Sequence, residues 1–167
     1  IFKSIDGVLF NKNGSVLRKY PSKKNDSSYT IPNGVQSIEY ISFLNCINLK
    51  SITITNGVIS IGENAFKGCI NLISIIIPDT LTSLNSIFVN CSSLQSIIIP
   101  IGVTSIGASE FSDCVSLKEI IVDPNNKNFT SDDGVLFSKD GKKLIKYLNA
   151  KPDTSYIIPN GVTSIGY

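Results

Sequence analysis

The sequence predicts a β-rich solenoid, a right-handed coil of short strands advancing by about 22–23 residues per turn. β-Hairpins are inserted in two of the coils, and short turn or helical segments fill the corners. The first observation behind this is the cysteine spacing. The only four cysteines are Cys46, Cys69, Cys91 and Cys114, separated by 23, 22 and 23 residues. The second is that the same residue types recur at fixed offsets around each cysteine. The third is a longer repeat: residues 6–38 match residues 133–165 without a gap, identical at 21 of 33 positions.

The unit is read outward from its cysteine. Three residues before it stand Phe43, Phe66, Phe88 and Phe111, and three after it Leu49, Leu72, Leu94 and Leu117. Next come Ile52, Ile75, Ile97 and Ile120, then Ile54, Ile77, Ile99 and Val122 two positions further on. In a strand alternate side chains face opposite ways, so these pairs point inward and stack over their equivalents at about 4.8 Å. Pro78 and Pro100 close two of these strands, as Pro32 does before the array. A turn such as Asn56-Gly57 leads into a second inward pair: Val58/Ile61, Leu81/Leu84 and Val103/Ile106. Phe66 then arrives from a short turn or helical segment over Glu63-Asn64-Ala65-Phe66. One such unit cannot bury its own apolar face, whereas stacked units bury a continuous core.

The long repeat marks a different coil. Val135-Leu136-Phe137 and Leu144-Ile145-Lys146-Tyr147 flank Asp140-Gly141, and Asn13-Gly14 holds the same place in the first copy. Asp-Gly or Asn-Gly between apolar runs signals a tight hairpin, because glycine supplies the positive φ. The predicted organisation is a hairpin-bearing coil over 1–28, four regular repeats over 29–122, a second hairpin-bearing coil over 123–156, and the start of a further repeat over 157–167. Both ends cut through a repeat without an atypical polar cap, so the chain is expected to be a fragment of a longer array.

The unit resembles the BspA-like, or treponemal-type, leucine-rich repeat. The stretch Ile61-Gly62-Glu63-Asn64-Ala65-Phe66-Lys67-Gly68-Cys69-Ile70-Asn71-Leu72 carries that pattern almost throughout. Departures are Thr55 in place of the proline, Ile41-Ser42-Phe43 in place of the Asn-Ala-Phe type, and one residue fewer between Leu84 and Phe88. The resemblance implies a surface or secreted protein of bacteria or protozoa, several relatives being implicated in attachment to host matrix proteins or other cells.

Composition limits the functions on offer. Net charge is only +2, so broad electrostatic binding to nucleic acid or an anionic membrane is not expected. Histidine is absent, which removes the commonest general base and the commonest transition-metal ligand. Isoleucine dominates the apolar content, favouring strands over helices. No apolar run approaches the roughly 18 residues of a membrane span.

Each chemical candidate meets a structural reading. The cysteines could form a metal site, a disulfide or packing. Parallel side chains one per coil do not converge tetrahedrally, and their separation exceeds the Cβ–Cβ reach of about 3.5–4.5 Å for a disulfide. Buried free thiols are expected, with no metal and no cofactor. The serines at 37, 60, 83, 105 and 164 lack an activating base and are expected to bridge coils by hydrogen bonds. Asp123–Asn128 fails as a calcium loop: Asn128 and Gly134 stand where glycine and glutamate are needed, and Lys127 adds a positive charge. The lysines of the two hairpin regions are either basic docking knobs or solvating residues on exposed edges.

The informative surface lies on the strands. If Ile75, Ile97 and Ile120 point in, Ile76, Ile98 and Ile121 point out, with Thr53 in the same column. Ile73, Gln95 and Lys118 lie beside them. These residues form the candidate binding set, set against plain strand propensity. The function expected is a monomeric, non-enzymatic protein-binding or adhesion module at a cell surface, its partner a host-matrix or other cell-surface protein. The alternative is a structural spacer that presents another domain and has no ligand of its own.

Overall fold

The computed structural model of the chain describes residues 1–148, 150–152 and 154–166. Each regular coil places two short strands on two sides of the stack. One side carries β4 (Ser28–Thr30), β6 (Ser51–Thr53), β8 (Ser74–Ile76), β10 (Ser96–Ile99) and β12 (Glu119–Val122), paired in parallel as β4–β6–β8 and β10–β12. The other carries β3 (Val16–Lys19), β5 (Ser37–Ile38), β7 (Ser60–Ile61), β9 (Ser83–Leu84) and β11 (Ser105–Ile106), paired in parallel as β3–β5–β7 and β9–β11. Register follows the sequence period: Ile52 pairs with Ile75, Ile97 with Ile120, and Ser37 with Ser60. Burial in β10 and β12 alternates exposed, buried, exposed, buried, the signature of one wet face.

The core is a set of files running along the axis. Phe43, Phe66 and Phe88 are fully buried and stack with ring centroids 4.8 Å and 5.8 Å apart. Tyr20 extends the file 5.1 Å from Phe43. The cysteines form the neighbouring file, buried and free. Three of the four thiols reach back one coil: Cys69 Sγ donates to Phe43 O at 3.1 Å, Cys91 to Phe66 O at 3.2 Å and Cys114 to Phe88 O at 3.0 Å. A small polarisable side chain that donates across the coil gap explains why cysteine recurs here. A thiol reagent should therefore titrate no cysteine in the native chain and all four in denaturant; labelling of the native protein would refute the file.

The corner segments are turns, and no helix occurs among the described residues. The helical alternative for Glu63–Phe66 fails because Asn64 has φ 57°. The equivalent Ile41 and Ser86 also have positive φ, at 50° and 54°. A second left-handed column stands just before each cysteine: Asn45, Gly68, Asn90 and Asp113, with φ between 56° and 73°. Asparagine, aspartate and glycine are the residues that adopt this conformation at least cost. Each such residue breaks the run of right-handed conformations that a helix needs.

Gly62 is required by close approach. A Cβ there would lie 2.4 Å from Tyr40 N of the preceding coil. Gly62→Ala should cost about 1–3 kcal/mol in chemical denaturation, the usual cost of overpacking against backbone. No change in the urea midpoint would show that the coils do not pack this tightly. Thr55, standing in the place of a proline, keeps a buried hydroxyl with no hydrogen-bond partner.

The serine expectation is corrected. Among the described residues none of Ser37, Ser60, Ser83, Ser105 and Ser164 donates through its hydroxyl, and all but half-buried Ser37 are exposed. Bridging falls to other hydroxyls: Thr80 Oγ1 donates to Val58 O at 2.7 Å and Thr104 Oγ1 to Thr82 O at 3.1 Å. The serines alternate outward beside an inward Ile or Leu, so their hydroxyls face water.

Each hairpin-bearing coil is a three-stranded antiparallel meander. β1 (Phe2–Ile5) pairs with β2 (Val8–Asn11), and β2 with β3. In the second copy β13 (Phe129–Asp132), β14 (Val135–Ser138) and β15 (Lys143–Lys146) repeat the pattern, and β15 pairs with β16 (Ser164–Ile165). Asn126 anchors the second meander. Its amide donates to Pro100 O at 2.8 Å and Val103 O at 3.0 Å, and its carbonyl accepts from the amides of Asn128 and Phe129. The Asp123–Asn128 loop is thus held by Asn126 as a structural clamp.

Candidate functional site

The parallel register places Thr30, Thr53 and Ile76 side by side, and Ile98 beside Ile121. The outward column thus changes from hydroxyl to isoleucine along the axis. Ile76 is 61% exposed, Ile98 58% and Ile121 40%. Ile73, Gln95 and Lys118 precede their strands, and the backbone carries them in a second row. Gln95 N donates to Ile73 O at 3.4 Å and Lys118 N to Gln95 O at 3.1 Å. Ile73 is 42% exposed, and Gln95 and Lys118 are exposed. The six predicted residues thus lie on one face, in two adjacent rows.

The face ends in a cleft of about 490 Å³ lined by Lys118, Ile121, Asp133, Gly134, Lys151 and Pro152. The turn between β13 and β14 makes its far wall, since Ile120 N donates to Gly134 O at 3.1 Å. The Lys151 ammonium donates to the Asp133 carboxylate at 2.7 Å and to Asp133 O at 2.6 Å. Sequence reasoning missed this wall. The signal was present in Asp6-Gly7 and Asp133-Gly134, the first two residues of the matching stretches 6–38 and 133–165, which were not read as turns.

A further exposed column was also missed. Ile47, Ile70 and Val115 follow their cysteines and are 45%, 39% and 57% exposed. With Ser92 between them, this column was legible from the same alignment. Ile70, Ile73 and Ile76, spaced by three, carry apolar surface from the corner onto the strand face.

Reactive groups are turned inward. Burial pushes the Cys114 thiol up to about 11, and burial raises Cys91 as well. Glu110 is a carboxylate with 1% exposure, in the column of Ala65 and Ile87. Its Oε1 and Oε2 accept from Ile87 N at 3.2 and 3.1 Å, and Oε1 from Phe88 N at 3.3 Å. Burial pushes it up to about 7 against the lowering pull of these amides and that of Ser86. The four cysteines and Glu110 are thus withdrawn from the surface.

Stacked coils of 22–23 residues, with a parallel strand ladder and an Asn/Gly-Cys corner, define a leucine-rich repeat solenoid. The sequence profile described as a BspA type leucine rich repeat region matches residues 20–135 in six copies, and the chain belongs to that family. Among solved structures it is similar to a leucine-rich repeat protein of Eubacterium ventriosum, at 26% identity and a TM-score of 0.71, over 95% of this chain and 53% of that one. It is also similar to the pneumococcal vaccine antigen PcpA, at 25% identity and a TM-score of 0.74, over 98% of this chain and 42% of that one. A leucine-rich repeat protein of Bacteroides capillosus, at 24% identity and a TM-score of 0.64, matches 73% of this chain and 98% of its own, and shows the fold alone. The chain thus spans about half the length of the first two. No curated protein matches it. Among the described residues no helix is long and apolar enough to cross a membrane.

Proposed function

We propose that this chain is a non-enzymatic protein-binding module of a cell-surface or secreted protein, engaging its partner through the strand-lined face. The observation that carries this reading is the column Ile76, Ile98 and Ile121, 40–61% exposed, on neighbouring coils of the strand-lined face. Solenoids use such extended faces for binding, and contiguous apolar surface outside the core marks interaction sites. Each isoleucine buried by a partner would contribute up to about 1.5–3 kcal/mol. Ile73, Gln95 and Lys118 form the flank that would set orientation. PcpA, a vaccine antigen with the same fold over nearly all of this chain, supports a surface setting.

The test is a binding screen against purified extracellular-matrix proteins and a glycan array, repeated with Ile76→Asp/Ile98→Asp. A partner whose affinity falls at least tenfold in the variant, with an unchanged urea midpoint, is the expected result. A spacer binds nothing in the screen. A partner that binds both proteins equally would move the site off this face.

A further inference from the structure

Four asparagines are followed directly by glycine: Asn13, Asn33, Asn56 and Asn160. Three of them hold the same place in the coil, in the turns Pro32-Asn33-Gly34-Val35, Thr55-Asn56-Gly57-Val58 and Pro159-Asn160-Gly161-Val162. Glycine stands there because the turn demands positive φ, which is 91° at Gly34, 108° at Gly57 and 97° at Gly161. One long hydrogen bond closes each turn. Val35 N donates to Pro32 O at 3.3 Å, Val58 N to Thr55 O at 3.4 Å and Val162 N to Pro159 O at 3.3 Å. All three asparagines and all three glycines are exposed. Among the described residues, the side chains of Asn33, Asn56 and Asn160 have no hydrogen-bond partner, and neither do the N–H groups of Gly34, Gly57 and Gly161. No side chain shields the glycine nitrogens, and a Cβ on Gly34 or Gly161 would meet nothing within 4 Å.

The fourth pair is built differently. Asn13-Gly14 forms the tip of the β2–β3 hairpin, and Gly14 N donates to Asn11 O at 3.1 Å. Asn13 Oδ1 accepts from Ser15 N at 3.1 Å and from Ser15 Oγ at 2.8 Å. Asn11 ties down the same turn, its Oδ1 accepting from Val16 N at 3.0 Å and its Nδ2 donating to Ser15 Oγ at 3.1 Å. Here both the glycine nitrogen and the asparagine carbonyl are held, whereas in the other three pairs both are free.

We propose that Asn33, Asn56 and Asn160 are sites of spontaneous deamidation, and that the hairpin protects Asn13 from the same reaction. The nitrogen of the following glycine attacks the asparagine Cγ. A bond forms between them, the bond from Cγ to the side-chain nitrogen breaks, and ammonia leaves, while the glycine amide proton passes to solvent. Water then opens the five-membered ring at either carbonyl. The product is an aspartate or, where the chain runs on through Cγ, an isoaspartate. Water is the only co-reactant. Each event adds one negative charge, so three events carry the net charge from +2 to −1. Asp79 and Ile101, which hold the same place in the intervening coils, have no amide to lose. Asn33, Asn56 and Asp79 lie three residues beyond Thr30, Thr53 and Ile76 on successive coils. Conversion of the two asparagines therefore lines three carboxylates along one edge of the strand-lined face. The reaction proceeds whether or not that face binds a partner.

Incubation of the whole folded chain at pH 7.5 tests this. Peptide mapping by mass spectrometry reads a gain of about 1 Da per event, and isoelectric focusing counts the charges. Asn33, Asn56 and Asn160 should each convert at least about tenfold faster than Asn13, which reacts only when its three hydrogen bonds open together. In denaturant that difference should vanish. Asn56→Gln should lose one acidic step in focusing and leave the rates at Asn33 and Asn160 unchanged. Equal rates at all four sites of the folded chain would overturn the proposal, as would conversion in denaturant with none in the folded chain. An Asn13 that stays slow in denaturant would remove the role of the hairpin.

Discussion

Replacing Phe66 by alanine should cost about 3–5 kcal/mol of folding stability, the range for emptying a phenylalanine site in a core. Phe66 is fully buried and stacks on both Phe43 and Phe88. In a solenoid, stability is a sum of coil and nearest-neighbour interface terms, so one ring in mid-file weakens two interfaces together. Ile59→Ala, at a site 60% exposed, is the control and should stay within about 0.5 kcal/mol. Urea titration of both variants decides it. A loss below about 1 kcal/mol for Phe66→Ala would mean that the aromatic file does not hold the coils together.

Stability should fall as pH rises from about 4.5 to about 7, by an amount on the order of 3 kcal/mol, and Glu110 is the cause. The folded chain holds the Glu110 proton more tightly than the unfolded chain, whose carboxyl has its ordinary value near 4.5. Its contribution is complete below that value and is lost as pH climbs through the folded value. Asp26 and Asp140 act with the opposite sign. Hydrogen bonds, from Lys24 first for Asp26 and from Ser138 first for Asp140, hold them below the usual carboxylate range, so their contribution disappears only on further acidification. Urea midpoints measured from pH 4.5 to 7.5 should slope downward in the wild type and run flat in Glu110→Gln. Equal slopes in the two proteins would assign the effect elsewhere.

The regular part of the fold was legible because the same positions do the same work in every coil. Phe43, Phe66 and Phe88 stack, and Ile52, Ile75, Ile97 and Ile120 point inward, because a fixed sequence period becomes a fixed height along the axis. The outward orientation of Ile76, Ile98 and Ile121 followed from two-residue alternation alone. Reading failed where the period carries no information. Strands β1 and β13 were missed because Asp-Gly was read once per coil, when each meander contains two tight turns. Spacing left turn and helix both open for Glu63–Phe66, and the turn is the one formed because the stacked coil imposes positive φ on Asn64. The serine hydroxyls were misplaced because alternation fixes only which face a residue occupies, not which partner it finds there.

By itself the sequence determined the coil length, the buried files, the two hairpin-bearing coils and the family. A repeat states its periodicity in its own spacing, and like residues then stack over like. The tertiary structure alone decided what happens where the repeat departs from itself. One missing residue between Leu84 and Phe88 leaves two amides without their regular carbonyls, and a glutamate from the next coil fills the place. It also decided that the strand pairing is interrupted one junction earlier, between β7 and β9 and between β8 and β10, and that a hairpin turn walls the end of the strand face. Such outcomes depend on which groups meet across coils some 22–23 residues apart, a distance in space that spacing along the chain does not encode.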